Sequence, residues 1–240
     1  MRLRFFALIV AAELALAAIA RCETLPLPPG LIDGESEAGA KLLFDSDARA
    51  AFLPMAMNFV TQRTQTYCGV ASMVMVLNAL NLPAPTTPEY APYRIFTQEN
   101  VLDERTDLIR PRDLVARGGM TLDQFGAIVA LQPVAIEVVH AADSSLDQFR
   151  ARAREALASP GRFVVVNFLR SGIGEEAYGH FSPLAAYDAA ADRFLILDVA
   201  RYKYPPAWVT ASQLFNAMNT PDPDNAGKTR GFALIGRKGG

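Results

Sequence analysis

Gln62-Arg63-Thr64-Gln65-Thr66-Tyr67-Cys68-Gly69-Val70-Ala71-Ser72 runs from a polar stretch straight into the apolar segment Met73-Val74-Met75-Val76-Leu77-Asn78-Ala79-Leu80. The apolar segment reads as a helix from Cys68 to Leu80, stopped by Asn81-Leu82-Pro83. Cys68 then stands at the helix N-terminus, where free N–H groups and a partial positive charge draw a thiol toward its thiolate. A buried structural cysteine is the commoner fate of a lone thiol. The reading of the chain therefore turns on whether it supplies a base for Cys68.

Outward from this helix, residues 36–59 carry spaced apolar side chains (Leu42, Leu43, Phe44, Phe52, Leu53) and predict two short helices broken near Asp45-Ser46. Pro83, Pro85, Pro88 and Pro92 mark a long loop. Thr121 with Gln124, and Ser145 with Gln148, are capping boxes that open two further helices. Strands are expected at residues 134–140, 163–169, 181–187, 193–199 and 231–235, with a short helix at 211–218. Residues 23–34, rich in proline and glycine, form a lead-in arm. Helices dominate the first half and strands the second, an α+β layout.

The N-terminal residues read as an address. Arg2 and Arg4 precede an apolar run from Phe5 to Ala20 broken only by Glu13, and Ala18-Ile19-Ala20 is the small-x-small pattern that signal peptidase cuts. The expected division is a signal peptide over residues 1–20 and one catalytic domain over 21–240, giving a periplasmic or secreted protein with no stable membrane association after cleavage. A permanent anchor is disfavoured by the short run and by Glu13. Cys22 offers lipidation as a third reading, against which Arg21 stands where a small residue is wanted.

The chain has two histidines, so a histidine base is His180 or His140. Gly179-His180-Phe181-Ser182-Pro183 opens one strand, and Leu195-Ile196-Leu197-Asp198 ends the next. A turn centred on Ala190 puts residue 180 opposite 200 and 182 opposite 198, so that His180 and Asp198 share a face as diagonal neighbours. A shift of one residue would separate them. An aspartate on one imidazole nitrogen leaves the other for the thiol. His140 has no such neighbour in sequence. The backbone N–H of Cys68 is one donor for a developing oxyanion, and either Gln62 or Gln65 could supply a second.

Gln62 with Tyr67-Cys68-Gly69-Val70-Ala71-Ser72 and Val76-Leu77-Asn78-Ala79-Leu80 resembles the phytochelatin synthase family. Gly179-His180-Phe181-Ser182-Pro183, the block from Asp198-Val199-Ala200-Arg201-Tyr202-Lys203-Tyr204-Pro205-Pro206 to Trp208, and Thr229-Arg230-Gly231-Phe232 resemble it too, in family order. The resemblance implies a papain-like fold and glutathione as substrate. In the family the cysteine attacks the Cys–Gly bond, glycine leaves, and water or a second glutathione takes the γ-Glu-Cys acyl group. It assigns Cys68 as nucleophile, His180 as base and then acid, Asp198 as orienter, and Gln62 rather than Gln65 as oxyanion donor. Arg230 is the expected partner of a substrate carboxylate, with Arg201, Tyr204, Asn167 and Gly179 as further substrate contacts. The chain ends soon after Ile235 without the cysteine-rich C-terminal region of eukaryotic members, so it resembles the short bacterial members and is expected to be mainly hydrolytic.

Composition narrows the remaining classes. The 240 residues are 51% hydrophobic, with 23 basic and 25 acidic side chains and a net charge of −2. Such a chain buries a core and lacks the basic surplus that nucleic-acid binding needs. One thiol beyond Cys22 and two separated histidines build no metal site, so no cofactor is expected. Cadmium or zinc, if it matters to a heavy-metal response, enters as a metal–glutathione thiolate substrate. The sequence leaves a homodimer open. Two other functions stay open: a papain-like peptidase of other peptides, and a catalytically silent thiol-binding or metal-sensing module.

Overall fold

The computed structural model describes residues 24–176 and 178–238. The signal-peptide reading and Cys22 lie outside them. The described chain folds as β1 (Ile32–Asp33), α1 (Glu37–Asp45), α2 (Phe52–Met57), α3 (Cys68–Ala79), α4 (Glu104–Asp107), α5 (Arg112–Gly118), α6 (Leu122–Val129), β2 (Val134–His140), α7 (Leu146–Ala158), β3 (Arg162–Leu169), β4 (Gly179–Asp188), β5 (Arg193–Ile196), β6 (Ala207–Thr210), α8 (Ala211–Met218) and β7 (Gly231–Arg237). The strands form one antiparallel sheet in the order β1-β6-β5-β4-β3-β7-β2. Helices and antiparallel sheet together give the α+β class expected from sequence.

α3 is buried continuously from Cys68 to Leu77 and packs against β4. A helix apolar on every side has no solvent face, which is why its sequence shows no amphipathic stripe. α7 and α8 pack on β3. There Phe149 of α7 meets Phe194 of β5 and Phe232 of β7 at ring separations of 5.0 and 5.1 Å. Phe125 of α6 stacks on Phe181 of β4 at 5.1 Å. Both predicted capping boxes form, Thr121 with Gln124 and Ser145 with Gln148.

Four elements escape a pattern search. α4 starts from a capping box made by Asp103 and Thr106, residues outside the Ser/Thr-x-x-Glu/Gln pattern. α5 follows Pro111 with no side-chain cap. β1 has two residues, and β6 begins directly after Pro205-Pro206. β5 is also shorter than expected and ends at Ile196, leaving Asp198 beyond the ladder.

The β4–β5 hairpin corrects the simple register. Next to the turn, Asp188 pairs with Arg193 and Ala186 with Leu195, an alignment centred between Ala190 and Ala191. A bulge between Leu184 and Ala186 then slips the ladder by one, so that Leu184 faces Ile196. The Leu197 N–H donating to Pro183 O at 3.0 Å continues the shifted alignment. The alignment assumed from sequence thus holds only beyond the bulge, which is the portion that carries His180 and Asp198.

Gly231 lets β2 and β7 approach. A Cβ there would lie 2.0 Å from Val139 O and 2.9 Å from His140 Cα, both backbone atoms that cannot give way. Gly231→Ala must part the two strands and should destabilise the protein by about 1–3 kcal/mol, as overpacking does. Chemical denaturation against wild type reads this out, and an unchanged midpoint would contradict it.

Candidate active site

Cys68 opens α3, with Tyr67 in the N-cap position and no side-chain cap on the helix. The free N–H groups of this terminus therefore remain open to a bound group. The His180 ring and the backbone N–H groups of Phe181 and Gly69 act on the thiol. Burial pushes the Cys68 thiol up, but His180 and these N–H groups outweigh it and hold it below the ordinary thiol range. For His180, burial disfavours the cation, yet Asp198 more than offsets it and raises the imidazole. Opposite shifts in adjoining acid and base favour a thiolate–imidazolium pair in the interval between them.

Three groups crowd His180 Nε2 at 2.9 Å: Asp198 Oδ1, Arg170 Nη2 and Ser182 Oγ. Burial would raise the Asp198 carboxyl, but His180 and Arg170 hold it well below the usual carboxylate range. An ionised Asp198 accepts only, so the ring must donate through Nε2–H, and Nδ1 is left for the thiol. Asp198 Oδ1 also accepts from Arg170 Nη2 at 2.9 Å and from the Ala200 N–H at 2.7 Å, and Oδ2 forms an ion pair with Arg170 Nη1 at 2.8 Å. Arg170 is itself buried, paired with Glu175, and lies 5.3 Å over the Tyr204 ring. Burial pushes the Glu175 carboxyl up in spite of Arg170.

Cys68 and His180 line a cavity of about 640 Å³. Gln62, Asn167, Gly179 and Arg230 line it with them. Gln62 is buried, and its Nε2 donates to Thr64 O and Tyr202 Oη, both at 2.9 Å. Gln65 also reaches the cavity but from an exposed position. Asn167 Nδ2 donates to His180 O at 3.2 Å, while its buried Oδ1 has no protein partner. Arg230 donates through Nη1 to Pro221 O at 2.6 Å and to Thr220 Oγ1 at 3.1 Å, and its Nη2 lies 3.7 Å from Asp222. Its Nε is buried without a partner. A Cβ on Gly179 would sit 3.2 Å from that Nε, so the glycine makes room for the guanidinium.

Two expected contacts lie elsewhere. Arg201 is exposed and stacks on Phe59 at 4.5 Å, outside the cavity lining. Tyr204 is buried behind the cavity, under Arg170, and its hydroxyl accepts the Glu176 N–H at 3.0 Å. In the turn after Asp198, Ala200, Tyr202 and Lys203 face the cavity and these two face away. His140 is also outside it, held by Asp123 at 2.8 Å and Thr229 O at 2.5 Å. Arg170, Glu175 and Ser182 went unread in the sequence. Ser182, two residues from His180 on one strand, was the member whose spacing offered a clue. Among the described residues, no group of three or more His, Cys, Asp or Glu side chains is placed to hold a metal ion.

Residues 22–232 match the family model described as phytochelatin synthase. The chain is 37% identical to glutathione gamma-glutamylcysteinyltransferase 1 of Lotus japonicus over 219 residues, which is 89% of this chain and 42% of that protein. It is 34% identical to glutathione gamma-glutamylcysteinyltransferase 1 of Arabidopsis thaliana, over 93% of this chain and 45% of the relative. A more distant relative, glutathione gamma-glutamylcysteinyltransferase of Schizosaccharomyces pombe, is 27% identical over 77% of this chain and 43% of its own length. The chain belongs to the phytochelatin synthase family. It spans less than half the length of these curated relatives.

Two outcomes follow from the charge arrangement. In a Cys22→Ala background, iodoacetamide should alkylate Cys68 well below pH 8.5, roughly where an ordinary thiol titrates. His180→Ala removes the groups' mutual stabilisation and leaves burial opposed only by the Phe181 and Gly69 N–H groups, so the alkylation midpoint should move upward. A midpoint unaffected by the substitution would contradict the pair. Arg170→Leu strands Asp198 and Glu175 as buried carboxyls. It should cost about 3–5 kcal/mol in denaturant unfolding, and a near-neutral result would mean that Arg170 is not what compensates them.

Proposed function

We propose that this chain is a glutathione-processing cysteine enzyme with a papain-like arrangement of catalytic groups. The observation that carries this reading is Cys68 and His180 lining one cavity with Arg230, with His180 Nε2 held at 2.9 Å by ionised Asp198 behind it. A zwitterionic γ-glutamyl end suits the Arg230–Asp222 corner, where a guanidinium and a carboxylate stand 3.7 Å apart. The guanidinium takes the α-carboxylate and the acidic side the ammonium.

Cys68 Sγ attacks the carbonyl carbon of the Cys–Gly bond, and the carbonyl oxygen takes the negative charge. The Cys68 N–H and Gln62 Nε2 stabilise that oxygen, the latter by giving up its contact with Tyr202. As the C–N bond breaks, His180 gives its proton to the departing glycine nitrogen. A γ-Glu-Cys thioester remains on Cys68. His180, now neutral, takes a proton from the next nucleophile as it attacks the thioester carbonyl. The C–S bond breaks, the γ-Glu-Cys group passes mainly to water or otherwise to the amine of a second glutathione, and Cys68 leaves as the thiolate beside the imidazolium. Asp198 keeps the ring oriented in both halves and stabilises its cation. No resident metal is needed for these steps. Cadmium or zinc enters as a metal–thiolate form of the substrate.

Incubation of the purified protein with glutathione, with and without cadmium or zinc, tests the proposal by mass spectrometry of products. Free glycine with γ-Glu-Cys is the expected result, with (γ-Glu-Cys)₂-Gly as the minor product. Cys68→Ser should abolish both and remove the covalent γ-Glu-Cys adduct on the intact protein. Release from other peptides but not glutathione would favour a general peptidase. Tight binding without glycine would favour a silent thiol-binding module.

A further inference from the structure

Five lysine and arginine side chains line the Cys68 cavity, and four have a carboxylate of the chain beside them. Arg117 pairs with Asp113, Arg170 with Asp198, Lys203 with Glu176, and Arg230 with Asp222. The fifth, Arg110, pairs with no acidic side chain among the described residues. It is half-buried, and its Nε is fully buried with no hydrogen-bond partner. An unpaired guanidinium with a desolvated N–H is costly unless something in the cavity completes it.

The surroundings hold Arg110 in place. Its Nη2 would lie 3.5 Å from a Cβ on Gly118, so the guanidinium passes over a position without a side chain. The Gly118 segment is pinned to the start of α3, because Thr66 Oγ1 donates to Ala116 O at 2.9 Å. A Cβ on Gly119 would meet Thr66 O at 3.2 Å. Arg110 thus belongs to the wall that abuts the Cys68 helix. Arg230 belongs to another wall, formed by the end of β7 beside Gly179 and His180.

We propose that Arg110 binds the C-terminal carboxylate of the peptide substrate. This rests on the glutathione reading above, in which Arg230 takes the γ-glutamyl carboxylate and the second carboxylate belongs to glycine. A guanidinium and a carboxylate form two parallel charge-assisted hydrogen bonds, one of which the unpartnered Nε can donate. Arg110 is therefore a specificity-determining residue: it selects substrates that end in a free carboxylate one residue past the scissile bond. It contributes to binding in the ground and transition states alike, so its effect falls on KM.

The test is a cycle of two proteins and two substrates: wild type and Arg110→Gln, each with glutathione and with glutathione amidated at the glycine carboxylate. Glycine or glycinamide release is measured. For wild type, amidation should raise KM about 10-fold or more with kcat kept, the effect of losing a charge-assisted pair. Arg110→Gln should raise KM for glutathione similarly and show little further response to amidation. If both proteins respond equally to amidation, or wild type not at all, Arg110 does not bind that carboxylate. If Arg110→Gln unfolds, Arg110→Lys, which keeps the charge but not the two-pronged fork, takes its place in the cycle with the same expected loss of response. If wild type releases no glycine from glutathione, the glutathione reading fails and this inference fails with it. That outcome is distinct from release without discrimination.

Discussion

The Asp198 carboxylate is the constraint on which the rest of the site depends. It is buried, so it must be either neutral or fully compensated, and it is compensated on both oxygens. Arg170 supplies charge to both oxygens, the Ala200 N–H fixes the turn, and His180 Nε2 completes the set. A carboxylate so saturated with donors has one geometry, and that geometry selects the imidazole tautomer. The same charge lifts the basicity of His180, and His180 in turn lowers the thiol. Each shift is the electrostatic image of its neighbour, and the chain of shifts begins at a side chain that never reaches the cavity.

Burial sharpens this arrangement and makes it costly to disturb. Arg170 sits between two buried carboxyls that shift in opposite directions: Asp198 is held well below the usual carboxylate range by His180 and Arg170, while burial raises Glu175 in spite of Arg170. Tyr204 closes the cluster from below. Its position in a prominent sequence block is thus explained by what it supports: the Arg170 guanidinium and the backbone at Glu176.

Much of this was legible in the sequence because it rests on local rules. The junction at Cys68 announces a helix start, two capping boxes announce α6 and α7, and the apolar run at Phe163–Val166 announces a buried strand. The His180–Asp198 neighbourhood depends on a register that holds only because of the Leu184/Ala186 bulge, and the one local hint of it is Pro183, since proline within a central strand is found at bulges. Arg170 was invisible for a different reason. An arginine after a buried strand reads as the solvated end of that strand, and its burial depends on a 3-10 turn at Arg170–Ile173 that folds it back under the sheet. Arg201 was read as a site residue by its neighbours in sequence. The turn that brings Asp198 inward sends Arg201 outward onto Phe59.

The separation of the two halves of the site has a consequence for synthesis of the protein. Cys68 lies on an early helix, while His180 waits for β4 and Asp198 for the residues after β5, about half the chain later. Contacts this distant in sequence are slow to form. Until they do, the thiol lacks the imidazole that does most to lower it. Cys68 is therefore less reactive in the nascent chain and in any partly folded intermediate that lacks the hairpin. Its full reactivity appears only when the β4–β5 hairpin docks on α3, which makes thiol chemistry at Cys68 a report on that long-range step of folding.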